Sequence, residues 1–336
     1  MKKLFIAIAA LAAMTSCSQD EVMEVAQKQA ISFGGAFVEN SSRATDPSYS
    51  TTGKGTALTQ FNVYGTVNGV NIFNGNSVTK TADYGKAWTQ QDGTQQYWIP
   101  GANYKFVGVV DGNKNGVTKT TSNSTSGMPE TISYTADGAT DLLCATVVRD
   151  NNTNYEVVPF TFTHLLSKIN FTVTNKSTAA QDYSFVVKNI KFAGNVTGIY
   201  DVVNAEWKTD GFTTDNTIVG NERTIIVNEK QEKVKDIVVP TGTTSTELGT
   251  EVLFLPGNYT ITFTVDILYK DNVITTNTYP AEGKTYSYTL AKNTAYNFNV
   301  DVSVGNPIQF TATTMSEWAN GNTAPDTGDK TYVPVK

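Results

Sequence analysis

One histidine stands in the chain of 336 residues. His164, in FTHLLSKI, is therefore the side chain that a Ser-His-Asp or Cys-His arrangement would have to use. No G-x-S-x-G elbow supplies its nucleophile. An imidazole between Phe162 and Leu165 fits a satisfied core or interdomain position better than a catalytic one. Cys144 lies in the apolar run TDLLCATVV and reads as a small buried hydrophobe. Zinc needs three or four Cys, His or carboxylate ligands in register, and one histidine with one internal cysteine does not provide them. DGNKNG, Asp111 to Gly116, matches the opening half of a calcium loop, D-x-[DN]-x-[DN]-G. Its ninth and twelfth positions are Lys119 and Ser122, and the twelfth should be a bidentate Glu. A β-turn accounts for the same letters. Asp201, Glu206 and Asp210 could suggest a glycosidase pair, but acids on loops are solvated by default. No catalytic residue, metal or cofactor is assigned, and the chain reads as a non-enzyme. Trp88, Tyr97, Trp98, Trp207 and Trp318 could stack on sugar rings, although such residues serve more often as core or interface anchors.

A different chemistry is written at the N-terminus. Lys2 and Lys3 precede an apolar run from Leu4 to Met14, followed by the small residues Thr15 and Ser16. This is the layout of an export signal, too short to span a membrane. It ends in Met-Thr-Ser-Cys, which resembles a bacterial lipobox. That likeness implies that Cys17 becomes the mature N-terminus, carrying a diacylglyceryl thioether and an N-acyl chain. Each buried methylene adds ~0.8 kcal/mol, so several chains anchor firmly where one would not. Asp20 and Glu21 directly behind Cys17 are compatible with a surface-export tag. With Cys17 acylated, Cys144 has no partner within the chain, so stability rests on the core or on contacts between subunits.

Cleavage is the third candidate chemistry. Arg43, in NSSRATDPSYS, is the first arginine of the chain, and the next is Arg149. It stands among Ser, Thr, Asp and Pro, the composition of loops that proteases cut most readily. Just upstream lies AISFGGAF, a candidate strand. Cutting after Arg43 would separate that strand from the rest. An ordinary loop arginine and a processing site fit the composition equally well.

The elements that must position these residues are strands. Thr, Asn, Gly and Tyr are abundant, and Ala-Leu-Glu-Lys helix patterns are scarce. LTQFNVYGTV alternates, with Phe61, Val63 and Gly65 on one face and Val67 continuing it. YSFVVKNIKF, YTITFTVDILYK and YNFNVDVSV alternate as well. YKDNVITT places an Asp271-Asn272 turn between two strands. Only the surroundings of FTHLLSK allow a short helix. Short strands with regular turn signals predict sandwich-like antiparallel sheets. Without its signal the chain keeps roughly 320 residues, enough for two domains of ordinary size, with a boundary near residue 165. The net charge of −6 argues against nucleic acid, which requires a clustered basic surface.

The ordered set of motifs resembles the fimbrillin family, the type V pilins. Behind the lipobox come ISFGGAF, SSRAT, FNVYGTV, IFNGNSV, YWIPGANYKFVGVV, DLLCATVV and FTFTHLLSKINFTV. LFLPGNYTITFTV, YNFNVDVSVGNPIQF and SEWANG follow. The resemblance covers essentially the whole chain. It implies an all-β protein of two transthyretin-like antiparallel β-sandwich domains in tandem. The division it implies is a signal over 1–17, a tether and propeptide over 18–43, and sandwich domains over 44–165 and 166–336. It also implies a lipidated precursor at the outer membrane surface, cut by an arginine-specific protease between Arg43 and Ala44. The removed strand would run around Ile31 to Phe37, with Ile31, Phe33 and Phe37 facing inward. A strand from another fimbrial subunit, from within Ile308 to Lys336, would fill the groove, and Pro334 makes IQFTATTM a better donor than the last few residues. An anchor or tip subunit would keep its lipid or skip the cut. The alternative is a monomeric surface lipoprotein that captures glycans or host proteins.

Overall fold

The computed structural model describes residues 29–38, 58, 60–80, 89–90, 95–112, 117–121, 126–138, 140–175, 183–215, 225–227, 251–270, 272–303, 307–315 and 331–333. Among these residues the chain is all-β, with no helix. It opens with β1 (Phe33–Val38), β2 (Gln60–Val67), β3 (Val70–Thr79), β4 (Thr89–Gln90) and β5 (Ala102–Val110). Next come β6 (Thr118–Thr120), β7 (Thr131–Thr135), β8 (Leu143–Asn152), β9 (Val158–His164) and β10 (Ser167–Asn175). β11 (Tyr183–Asp201) is followed by β12 (Glu206–Trp207), β13 (Thr213–Asp215), β14 (Ile225–Val227) and β15 (Glu251–Phe254). The chain closes with β16 (Gly257–Tyr269), β17 (Asn272–Tyr279), β18 (Tyr286–Leu290), β19 (Thr294–Val302), β20 (Gln309–Met315) and β21 (Thr331–Val333).

The strands assemble into three sheets. One runs β1-β9-β8-β5-β2-β3-β4, a second β15-β10-β19-β20-β21, and a third β17-β16-β11-β7-β6. Neighbours are mostly antiparallel, some of them hairpins such as β2–β3, β8–β9 and β16–β17, others strands distant in sequence such as β5–β8 and β11–β16. β2 and β3 meet through Asn68 and Gly69, both at positive φ, which suits the twist of a two-residue hairpin. Two pairings are parallel: β10 on β19, and β1 on β9. β11 is 19 residues long and serves two neighbourhoods. Its first part pairs with β16, and Thr197 to Asp201 pair with β7.

Two hydrophobic cores lie between these sheets. The first gathers Phe33, Phe61, Phe106, Phe160 and Phe162, and draws Tyr200, Trp207 and Leu253 from later in the chain. The second is built from Ile169, Phe185, Phe192, Phe254, Phe298 and Phe310. Residues on both sides of position 165 thus fill the first core. Packing in it leaves Gly65 no room to change. A Cβ there would lie 2.8 Å from Phe73 and 2.9 Å from Phe106, inside the spacing that close-packed interiors allow.

Two local expectations need correction. FTHLLSK forms no helix. Phe160, Phe162 and His164 alternate inward along β9, and Leu165 and Leu166 are both buried before β10 begins. Burial at period two overrides the helix-forming leucines. The β16–β17 turn also falls one residue earlier than Asp271-Asn272. Asn272 already pairs with Tyr269, and Lys270 takes the positive φ that the turn needs.

Candidate functional site

The candidate site is the seat of the first strand. Alternation along ISF sends Ile31 and Phe33 to the same face. Both are buried, at 6% and 1% exposure. Phe33 enters a nest of four rings: edge-on to Phe61, Phe73 and Phe106, and stacked on Phe160. Such contacts add about 0.5–1.5 kcal/mol each beyond the area they bury. β1 is held parallel to β9, with Phe33 beside Val158 and Phe37 beside Thr161, and an irregularity between Gly34 and Phe37. The Phe37 side chain lies outside the described residues.

The approach to β1 is gripped on two sides. On one side Ala30 bridges to Tyr97, the Ile31 N–H donates to Gln96 O at 2.8 Å, and the Trp98 N–H donates to Gln29 O at 2.9 Å. On the other side the Val158 N–H donates to Ser32 O at 2.8 Å, and Gln29 Nε2 donates to Tyr155 O at 2.9 Å. The seat therefore reads main-chain groups with its walls and apolar side chains with its floor. No sequence pattern marks Gln96 to Trp98 or Tyr155 to Val158 as its walls. Their pairing with residues 29–32 spans sixty or more positions and carries no side-chain signature.

Cys17, Arg43 and Ala44 lie outside the described residues, as do Trp88 and Trp318. The remaining candidates are structural in their surroundings. His164 Nδ1 lies 2.7 Å from Asp141 Oδ2, and both side chains are fully buried. The other Asp141 oxygen accepts the Leu142 N–H. This resembles two thirds of a catalytic relay, but no substrate can reach it. Asp111 pairs with Lys119, so the ninth position of the supposed calcium loop brings a cation to its first carboxylate. Among the described residues no group of three His, Cys, Asp or Glu could hold a metal. Asp201 caps a turn, accepting the N–H groups of Asn204 and Val203, which hold its carboxyl below the usual range. Glu206 and Asp210 are exposed. Trp98 and Trp207 are buried core anchors, and only Tyr97 of the described sugar-stacking candidates is exposed. Cys144 is buried, and desolvation pushes its thiol up to about 12.

Within Ile308 to Lys336, β20 is an inner strand between β19 and β21, and Ile308 and Phe310 belong to the second core. β21 is the outer strand, with Val333 opposite Phe310.

The fimbrillin-like family matches residues 42–318. No curated protein matches the chain. Among solved structures, a fimbrial protein from Bacteroides vulgatus shares the fold at a TM-score of 0.54 and 17% identity, over 86% of this chain and 99% of that one. A candidate cell adhesion protein from Bacteroides uniformis gives 0.47 at 15% identity, over 88% and 99% of the two chains. A fimbrial assembly protein from Parabacteroides distasonis gives 0.38 at 12% identity, over 80% and 92%.

Proposed function

The chain belongs to the fimbrillin-like family, and on that premise we propose that it is exported as a lipoprotein, cut after Arg43 and polymerised by donor-strand exchange. As a family member it is a fimbrial adhesion subunit of the cell surface, structural rather than enzymatic. Cys17 carries the acyl chains that hold the precursor at the outer membrane. An arginine-specific protease removes the segment that ends at Arg43. The two cores are read as two transthyretin-like β-sandwich domains in tandem, with 44–165 and 166–336 supplying the bulk of each.

The observation that carries this reading is the position of Phe33. A propeptide that ended in solvent could leave without consequence. Here the segment ahead of Arg43 provides the central ring of an aromatic core. Its departure would expose an apolar groove and a row of unpaired main-chain groups, a template for another strand. Refilling the places of Ile31 and Phe33 contributes about 1.5–3 kcal/mol each. Each restored main-chain hydrogen bond adds about 1 kcal/mol. The total approaches the stability of a whole domain, so assembly needs no disulfide. The donor is assigned to the chain beyond β20. Ile308 and Phe310 commit β20 to its own core, whereas β21 pairs on one side only among the described strands.

The test uses the purified precursor and a low dose of trypsin. A discrete product that begins at Ala44 and then forms ladders on gels is expected. An uncut Arg43, or a cut protein that stays monomeric, would remove the core of the reading.

A further inference from the structure

Arg149 sits on β8, opposite Tyr104 of β5. Its guanidinium takes no carboxylate as its main partner. Nη1 donates to the carbonyls of Asn154 at 3.2 Å and Glu156 at 3.0 Å, and Nη2 donates to Val157 O at 2.9 Å. The same group lies over the Trp98 ring, 5.1 Å from its centroid. Burial holds the guanidinium below its ordinary pKa, with the charge of Glu156 working the other way. It stays protonated all the same, because arginine cannot be discharged in a protein. One cation thus fastens the segment from Asn154 to Val157 to the indole of Trp98.

Those two segments are the walls that grip residues 29–32. Trp98 and Gln96 bond to Gln29 and Ile31 from one side, and Val158 and Tyr155 bond to Ser32 and Gln29 from the other. Val157 also closes over the strand: a Cβ built on Gly34 would meet its Cγ1 at 2.5 Å. The wall of Trp98 is braced from behind by Tyr104, whose ring meets the indole at 4.7 Å and whose hydroxyl accepts the Ile99 N–H at 2.7 Å. The wall from Asn154 to Val157 belongs to no strand, and the Arg149 fork ties its length to β8, beyond the local bond of the Asn154 N–H to Asn152 Oδ1 at 3.3 Å. A planar, forked donor suits three carbonyls in a curve, and lysine, a point charge, does not.

We propose that Arg149 is a positioning residue that keeps the walls Gln96–Trp98 and Asn154–Val158 closed on residues 29–34, and so sets how readily the first strand leaves its seat. The part concerning the closed seat stands on this geometry alone, and the part concerning strand exchange rests on the function proposed above.

Hydrogen–deuterium exchange on the intact, uncut chain tests it, with Arg149→Gln and Arg149→Lys beside the wild type. The expected result is at least tenfold faster exchange at the amides of Ile31, Trp98 and Val158 in Arg149→Gln, a smaller rise in Arg149→Lys, and unchanged protection at Val265 in β16. Unchanged exchange at the three seat amides overturns the proposal. A rise spread equally through β16 and β19 also overturns it, because Arg149 would then support the fold as a whole. Should Arg149→Gln not fold, Arg149→Lys reads the same three amides against the same control. A separate arm nicks the chain after Arg43 and adds a fluorescent peptide of residues 29–38. Uptake by neither wild type nor variant would sink strand exchange while leaving the exchange data to decide on Arg149.

Discussion

Phe33 stacks on Phe160 with 6.0 Å between ring centroids and 25° between planes, joining the first strand to the strand it lies beside. Phe160 in turn meets Phe61 edge-on and lies tilted against Phe162, so Phe33 is one member of a continuous aromatic floor. Truncating it leaves a cavity that the remaining rings cannot close, because each is already packed against at least one other. Phe33→Ala is therefore expected to destabilise the intact chain by about 3–5 kcal/mol, the range for a fully buried phenylalanine. Urea unfolding followed by tryptophan fluorescence measures it. A cost under about 1 kcal/mol would mean that the first strand is an ornament on a core already complete.

Much of this floor was legible as pattern. Phe61 and Val63 alternate on β2, and Phe160, Phe162 and His164 do so on β9, because a half-buried strand writes its inner face at every second residue. The Asn68-Gly69 turn carries a signal of equal strength. What escaped was everything that depends on partners distant in sequence. Arg149 spends its donors on main-chain carbonyls, which every residue possesses, so nothing in the letters singles it out. The Asp141–His164 pair spans 23 positions and forms only once β8 and β9 are side by side. β11 reads as one strand of ordinary length, yet it continues through Gly194 and Gly198, where Tyr259, Trp207 and Phe212 pack against bare backbone. Glycines that look like punctuation are there sites of close approach. The FTHLLSK helix failed for the opposite reason: two leucines have helical propensity, but the first core buries both of them.

Cys144 offers a pH-dependent readout. Burial pushes its thiol up to about 12, while the Ala145 N–H and the charge of Lys292 pull weakly the other way. The thiolate is the reactive form, so the folded protein should not react with a disulfide reagent at pH 8, and the unfolded protein should react fully. Cys17 is the second cysteine, so the measurement uses a Cys17→Ser chain. The sign for stability follows. The folded pKa lies above the unfolded value of 9.0, so this contribution is intact below about pH 9 and is lost as pH rises toward 12. Rapid labelling of the folded chain at pH 8 would contradict the burial from which the shift arises.

The proposed lipid anchor can be separated from the strand by changing one atom. Cys17→Ser keeps the size of the side chain but replaces the thiol that a diacylglyceryl thioether requires. Cells that express this variant should incorporate no labelled palmitate into the protein. The chain should leave the outer-membrane fraction, because the apolar run before Cys17 is too short to hold it there as a spanning helix. Among the described residues no helix is long and apolar enough to take over that task. Folding should be untouched, so the Cys17→Ser chain, once purified, keeps the unfolding midpoint of an unlipidated chain with Cys17 intact. Palmitate label retained on Cys17→Ser would mean that the acyl chains sit elsewhere. Label lost with membrane association kept would mean that the protein is held by a partner rather than by its own lipid.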